Sequence, residues 1–183
     1  MLTSFITERG EKIGHINEFN DLANKYDTPE TIKLSNITSN TIFEALDKGM
    51  KKKAIDFGGG TGLVGLQLIN YFQSMLFLDA SQEMIDQVNL KIEKLGIKNV
   101  NTLCTNLENE GQLSFQADTI FSSMAFHHIG NYNDLLTKMH DMLEEKGQLV
   151  LVDMEKQPQK NHGTTDGYDH GFDRHKLSSV MEK

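Results

Sequence analysis

The chain has 183 residues, a formal net charge of −8 and 38% hydrophobic residues. That length suits one domain with a real core, and the acidic balance argues against nucleic acid, whose binders carry a basic face. No apolar run approaches membrane-span length and the N-terminus lacks a signal-peptide pattern. A single cysteine, Cys104, excludes an intramolecular disulfide and suits a reducing, cytoplasmic setting.

In chain order, residues 1–48 read as an N-terminal helical cap. Ile16, Phe19, Leu22 and Ala23 fall at helical spacing. Asp27-Thr28-Pro29-Glu30 is a helix start, with a capping side chain, a proline in the first turn and then an acid. Ile32, Phe43 and Leu46 are its expected apolar positions and Gly49 its stop. Lys51-Lys52-Lys53 reads as a solvated lead into a strand rather than a phosphate track.

From residue 49 to 183 the texture becomes short apolar strands alternating with amphipathic helices. Expected strands are Lys53 to Phe57, Met75 to Leu78 (ending at Asp79), Val100 to Cys104, Thr119 to Ala125 and Leu149 to Asp153. One helix follows Gly62, carrying Leu63, Leu66, Ile69 and Tyr71. Another is capped by Ser81 and stopped by Gly96. A third runs from about Tyr132 to Glu145, with Gly147 as its stop. This alternation predicts an α/β fold, a doubly wound and mostly parallel sheet with helices on both faces.

The densest chemistry lies in Ala54-Ile55-Asp56-Phe57-Gly58-Gly59-Gly60-Thr61-Gly62. A strand runs through an acid into a glycine-rich turn that opens a helix, which brings bare N–H groups against a small polar ligand. The segment resembles motif I of the class I S-adenosylmethionine (SAM)-dependent methyltransferases. Phe19-Asn20-Asp21-Leu22-Ala23-Asn24-Lys25-Tyr26-Asp27 is similar to the segment preceding motif I in the ubiquinone/menaquinone-biosynthesis-like members. Ala117 to Ile129, with His127-His128, is similar to their strand-four motif, and Leu149-Val150-Leu151-Val152-Asp153 to their strand-five motif.

The resemblance implies a Rossmann-like class I methyltransferase fold and SAM as cofactor, with S-adenosylhomocysteine (SAH) as product. Gly58, Gly60 and Gly62 would form the cradle, with the opening N–H groups on the ligand carboxylate and Asp56 toward its ammonium. Asp79 would accept from the ribose diol. Ala80 and Met84 would flank the adenine, Leu107 would present an N–H to it, and Asn106 stands where an acid is common. Tyr26, Ser122 and Ser123 are candidate contacts to the methionine part. His127 is the candidate proton acceptor.

The implied reaction is in-line methyl transfer to a small-molecule acceptor held between the N-terminal helices and the loops after strands four and five. A non-catalytic SAM/SAH-binding protein is one alternative. The Gly60-x-Gly62-x-x-Gly65 spacing also fits an NAD(P)-binding oxidoreductase, although Asp56 would repel a pyrophosphate. His162, Asp166, Asp169, His170, Asp173 and His175 match no metal template and read as a polar loop, so no metal site is expected.

The resembled fold has seven strands in the order 3-2-1-4-5-7-6, and five are legible here. Strands six and seven are therefore expected to be missing from this chain. The edge of strand five should then be covered by the 155–175 loop or paired with a second subunit in a homodimer.

Overall fold

The computed structural model describes residues 16–47, 52–108, 113–129 and 131–155, together with His175, Leu177 and Ser179. Five strands form one parallel sheet: β1 (Lys53–Phe57), β2 (Ser74–Asp79), β3 (Val100–Cys104), β4 (Ala117–Ser123) and β5 (Leu143–Val152). Their order is β3-β2-β1-β4-β5. The chain winds outward from β1 to β3 and then crosses back to β4. The switch point, where an α/β sheet opens a crevice, thus lies above the ends of β1 and β4.

Helix α1 (16–22) precedes α2 (Pro29–Ala45), α3 (Gly65–Leu68), α4 (Gln82–Leu95) and α5 (Tyr132–Met142). One core layer joins Ile42 of α2, Leu68 of α3 and Val88 of α4 to Ala54, Phe77 and Phe121 of the sheet. The other joins Leu135 and Met139 of α5 to Ile55, Leu76 and Ile120. Alternate strand residues feed opposite layers, so the inner strands β1, β2 and β4 are buried on both faces, while β3 at the edge exposes alternate positions.

Local chemistry fixes the helix ends. Thr28 caps α2 in a reciprocal pair with Thr31, and Pro29 occupies the first turn. The Ser81 Oγ accepts the Met84 N–H at 3.1 Å to start α4. Gly96 takes a left-handed conformation to end it.

Three expectations need correction. The helix after Gly62 is a single turn, α3, followed by a 3₁₀ turn over Ile69–Tyr71. Helix α5 stops at Met142, before Gly147, and β5 begins at once at Leu143. Its pairing with β4 skips from Leu143 to Gln148, and Lys146 adopts φ 66 within that excursion. Lastly, α2 does not bury Ile32, which is 41% exposed; it buries Ser35, Thr38, Ser39 and Ile42. Two of the small hydroxyl residues are satisfied by neighbours: Ser35 donates to the Ile32 carbonyl and Ser39 to Gln67 Oε1 of α3.

Gly49 and the 156–174 stretch, including the expected edge cover and most of the His/Asp-rich loop, lie outside the described residues. His175, Leu177 and Ser179 are helical, and Leu177 packs against the α5 layer.

Candidate functional site

Gly58, Gly60 and Gly62 all take positive φ (64, 53 and 81°), so the tight turn after β1 uses backbone that other residues rarely adopt. The turn is anchored from below, with Gly58 and Gly59 donating their N–H groups to the Leu78 carbonyl at 2.8 and 3.1 Å. A Cβ on Gly58 would lie 2.4 Å from the Ala125 Cβ, so the turn is pressed against the chain leaving β4. A Cβ on Gly60 would meet nothing within 4 Å, so Gly60 faces open space. Because α3 is only four residues long, an anion here would meet the amides of the turn rather than a long helix dipole.

Asp79 ends β2 beside this opening. Its Oδ2 accepts the Gly60 N–H at 2.8 Å and its Oδ1 accepts the Ser81 N–H at 2.9 Å. A carboxylate has further lone pairs on both oxygens, so a ribose diol can bind while the turn is held. Burial pushes the Asp79 carboxyl above its usual range, and the Ser81, Gly60 and Ala80 N–H groups partly offset this.

Asp56, expected toward the ligand's ammonium, is buried within the sheet. In the parallel register it stands between Phe77 and Phe121, both fully buried, and is itself 1% exposed. Neither carboxylate oxygen has a partner with hydrogen-bond geometry. The glycines above it are cut to fit, because a Cβ on Gly65 would come 2.3 Å from Oδ2 and one on Gly59 3.1 Å from it. Burial, reinforced by repulsion from Asp79 and only partly offset by the Gly65 N–H, raises the Asp56 pKa to about 8.

The N-terminal segment crosses this rim. Ser81 donates to Asn20 Oδ1 at 2.6 Å and Gln87 to Asn24 Oδ1 at 2.8 Å. Asp27 accepts from Thr61 Oγ1 at 2.5 Å and pairs with Lys91 Nζ at 2.6 Å, while Lys91 also donates to the Thr61 carbonyl at 2.6 Å. Tyr26 is half-buried, and burial, then the Asp79 and Asp27 charges, raise its phenol pKa. Asn20, Asp27, Thr61 and Lys91 are not among the site residues expected from the sequence. Asn20 and Asp27 stand within the segment quoted before motif I, and Lys91 carries no local signal at all.

On the β3 side, Met84 is buried and Ala80 half-buried, and Ala80's carbonyl accepts from Cys104 Sγ at 3.6 Å. Asn106 Oδ1 accepts the Glu108 N–H at 3.0 Å, so the oxygen expected to face an adenine already closes a local turn. Leu107 is buried and its carbonyl takes Lys138 Nζ at 2.7 Å.

On the β4 side, Ser122 is buried with its Oγ unpartnered, inside the sheet rather than at its rim, and Ser123 is half-buried. Met124 then takes φ 54, an uncommon conformation for a side-chain-bearing residue. His127 follows in a 3₁₀ turn whose N–H groups at Phe126 and His127 donate to Asp153 Oδ2 at 2.8 and 3.3 Å. Asp153 Oδ1 lies 2.7 Å from His127 Nδ1. His128 lies tilted against His127 at 3.9 Å between ring centroids and meets Phe19 of α1 edge-on at 5.2 Å. Burial alone would raise the Asp153 carboxyl, but the His127 side chain and the Met154 and His127 N–H groups bring it below its usual value.

A glycine turn, a buried acid against it and a second acid bonded to its Gly60 N–H stand together at the switch point of a parallel sheet, the place where α/β folds bind ligands. Residues 54–147 match the family described as "Methyltransferase domain", and the chain belongs to that family, whose cofactor is SAM. A relative from Schizosaccharomyces pombe, named an uncharacterized methyltransferase, is 26% identical and covers 82% of this chain and 66% of its own length. The chain thus spans about two thirds of that relative.

Among solved structures, a SAM-dependent methyltransferase from Aquifex aeolicus is 19% identical with a TM-score of 0.68, covering 89% of this chain and 86% of its own. Phosphoethanolamine N-methyltransferase 1 of Haemonchus contortus, solved with phosphoethanolamine and SAH, is 15% identical with a TM-score of 0.66, covering 84% of this chain and 34% of its own. Both share the fold.

Proposed function

We propose that this chain transfers the methyl group of SAM to a small-molecule acceptor held between α1, the turn after β4 and the end of β5. The observation that carries this reading is the His127–Asp153 pair, placed on the same rim as the glycine turn. SAM supplies the activated methyl as a sulfonium when bound. The chain's own residues would grip the nucleoside through Asp79 and the turn, exclude water through Tyr26 and α1, and accept a proton.

The proton would go to His127 Nε2. With Nδ1–H donated to Asp153, the imidazole keeps its Nε2 lone pair free for an incoming hydroxyl or acidic carbon. Asp153 acts through His127 and is a positioning residue. The Haemonchus neighbour, solved with SAH and phosphoethanolamine, supports a small acceptor, as does the acidic balance of the chain. A cytoplasmic location belongs to the same reading and rests on the single cysteine. No helix among the described residues is long and apolar enough to cross a membrane.

The test is a panel of hydroxyl, amine, thiol and carbon-acid acceptors with isotopically labelled SAM, run on the wild type and on His127→Ala. Methylated product, lost or much reduced in the variant while SAH still binds, supports the reading. SAH binding with no transfer to any acceptor would favour a non-catalytic binder. NAD binding without SAH binding would favour an oxidoreductase.

A further inference from the structure

Asp79 divides a bound nucleoside between two sides of the sheet. The proposed transfer delivers a methyl to the His127 rim, at the ends of β4 and β5, so the 5′ arm of the ribose runs from Asp79 across the glycine turn. The base leaves the other end of the ribose and so lies on the β3 side, against the loop that follows Cys104. What this loop offers a base edge is decided by its free donors and acceptors.

Its acceptors are committed. The Ala80 carbonyl faces Cys104 Sγ at 3.6 Å, and the Leu107 carbonyl takes Lys138 Nζ at 2.7 Å. Glu108 is turned toward α5, where its Oε1 takes the Asn131 N–H at 3.3 Å. Asn106 Oδ1 takes the Glu108 N–H at 3.0 Å. Two donors stay open: the Leu107 N–H and Asn106 Nδ2 have no partner among the described residues. Asn106 is half-buried between buried Thr105 and Leu107. The turn also fixes which way its amide points. An N–H at Glu108 requires the oxygen, so the atom left over is the nitrogen. An aspartate in the same turn would leave a second acceptor oxygen instead.

We propose that Asn106 makes the base side of this site indifferent to the substituent at purine position 6: the turn spends its oxygen, and a donor is left where an acceptor would read an amine. This rests on the SAM-site assignment and deepens it. Adenine presents a ring-nitrogen acceptor and, beside it, an amino donor. Against Leu107 N–H and Asn106 Nδ2 it makes one hydrogen bond and one donor–donor clash. Hypoxanthine presents a ring N–H and, beside it, a carbonyl, so the bond and the clash change places. Neither base gains over the other.

The experiment is calorimetric titration with SAH and with S-inosylhomocysteine, the same molecule with the 6-amino group replaced by a carbonyl. On the wild type the two dissociation constants should agree within about threefold, since a net hydrogen bond is worth up to about tenfold and here one is exchanged for another. Asn106→Asp keeps an oxygen for the Glu108 N–H and turns a second one toward the base. It should bind SAH more tightly and S-inosylhomocysteine more weakly, opening a preference of about tenfold or more for SAH. A role in the turn alone would leave that ratio unmoved.

A wild-type preference above about tenfold for either ligand overturns the proposal, and this result stands whether or not the variant folds. So does an unchanged ratio in folded Asn106→Asp. A wild-type preference for SAH that vanishes in Glu108→Gln would place the reading acceptor on Glu108. If the wild type binds neither ligand, the SAM-site assignment falls and takes this proposal with it.

Discussion

Asp153 Oδ1 and His127 Nδ1 lie 2.7 Å apart, joining residues 26 positions distant at the ends of neighbouring strands. The same carboxylate caps the turn that carries His127, so one acid sets both the backbone and the ring. Asp153→Asn should therefore cost about 1 kcal/mol of stability, discounted for solvent screening, and lower Tm by about 2–4 °C. Because the Asp153 pKa is depressed on folding, its contribution is present above the ordinary carboxylate value and lost as pH falls through the depressed one. Thermal melts of wild type and variant should thus converge at strongly acidic pH. A gap that stays constant with pH would contradict the ionised pairing.

The glycines of the site separate packing from ligand contact. Gly65→Ala would drive a Cβ 2.3 Å from Asp56 Oδ2 and 2.5 Å from Phe77 Cε1, and should cost about 2–3 kcal/mol or prevent folding. Gly60→Ala meets no neighbour and carries only the strain of its positive φ, about 1–2 kcal/mol. It should fold and yet bind SAH poorly, since the new methyl occupies the open space. Melting curves with SAH titrations read both, and normal SAH affinity in Gly60→Ala would mean the ligand lies elsewhere.

Asp79→Ala removes the acceptor for two backbone amides and, in the proposed site, the acceptor for a ribose diol. Stability should fall by about 1–3 kcal/mol and nucleoside binding by far more than tenfold. Retained SAH affinity in a folded variant would overturn the assignment of Asp79 to the ribose.

Lys91→Met keeps the length of the side chain and removes its charge. The Asp27–Lys91–Thr61 tie is partly exposed, so its loss should cost at most about 1 kcal/mol. Binding of SAH should weaken a few-fold, through the covering N-terminal segment rather than through the pocket floor. Proteolysis near Asp27 should accelerate in the variant and slow again with SAH. Unchanged cleavage would show that the tie does not hold the segment.

Asp56 also makes an apo-stability prediction. Its pKa is raised on folding, so the folded state binds the extra proton, and stability falls as pH rises from about 4 to about 8. Asp56→Asn should remove that decline and melt higher than wild type at alkaline pH without ligand. A variant that is less stable than wild type at every pH would point to a partner for the ionised carboxylate.

What the sequence determined by itself is local. Alternating apolar runs and the capping signals at Thr28, Ser81 and Gly96 placed most strands and helices, because strand periodicity and turn chemistry are written in consecutive residues. Motif order placed the glycine turn, Asp79 and His127 on one rim. The tertiary structure decided what lies between distant positions. It cut the helix after Gly62 to one turn and turned the outer face of α2 apolar. It put Asp56 between Phe77 and Phe121, and gave His127 its acid and Asp27 its lysine. A carboxylate reads the same in sequence whether solvent or phenyl rings surround it, and only the register of β1 between β2 and β4 settles which.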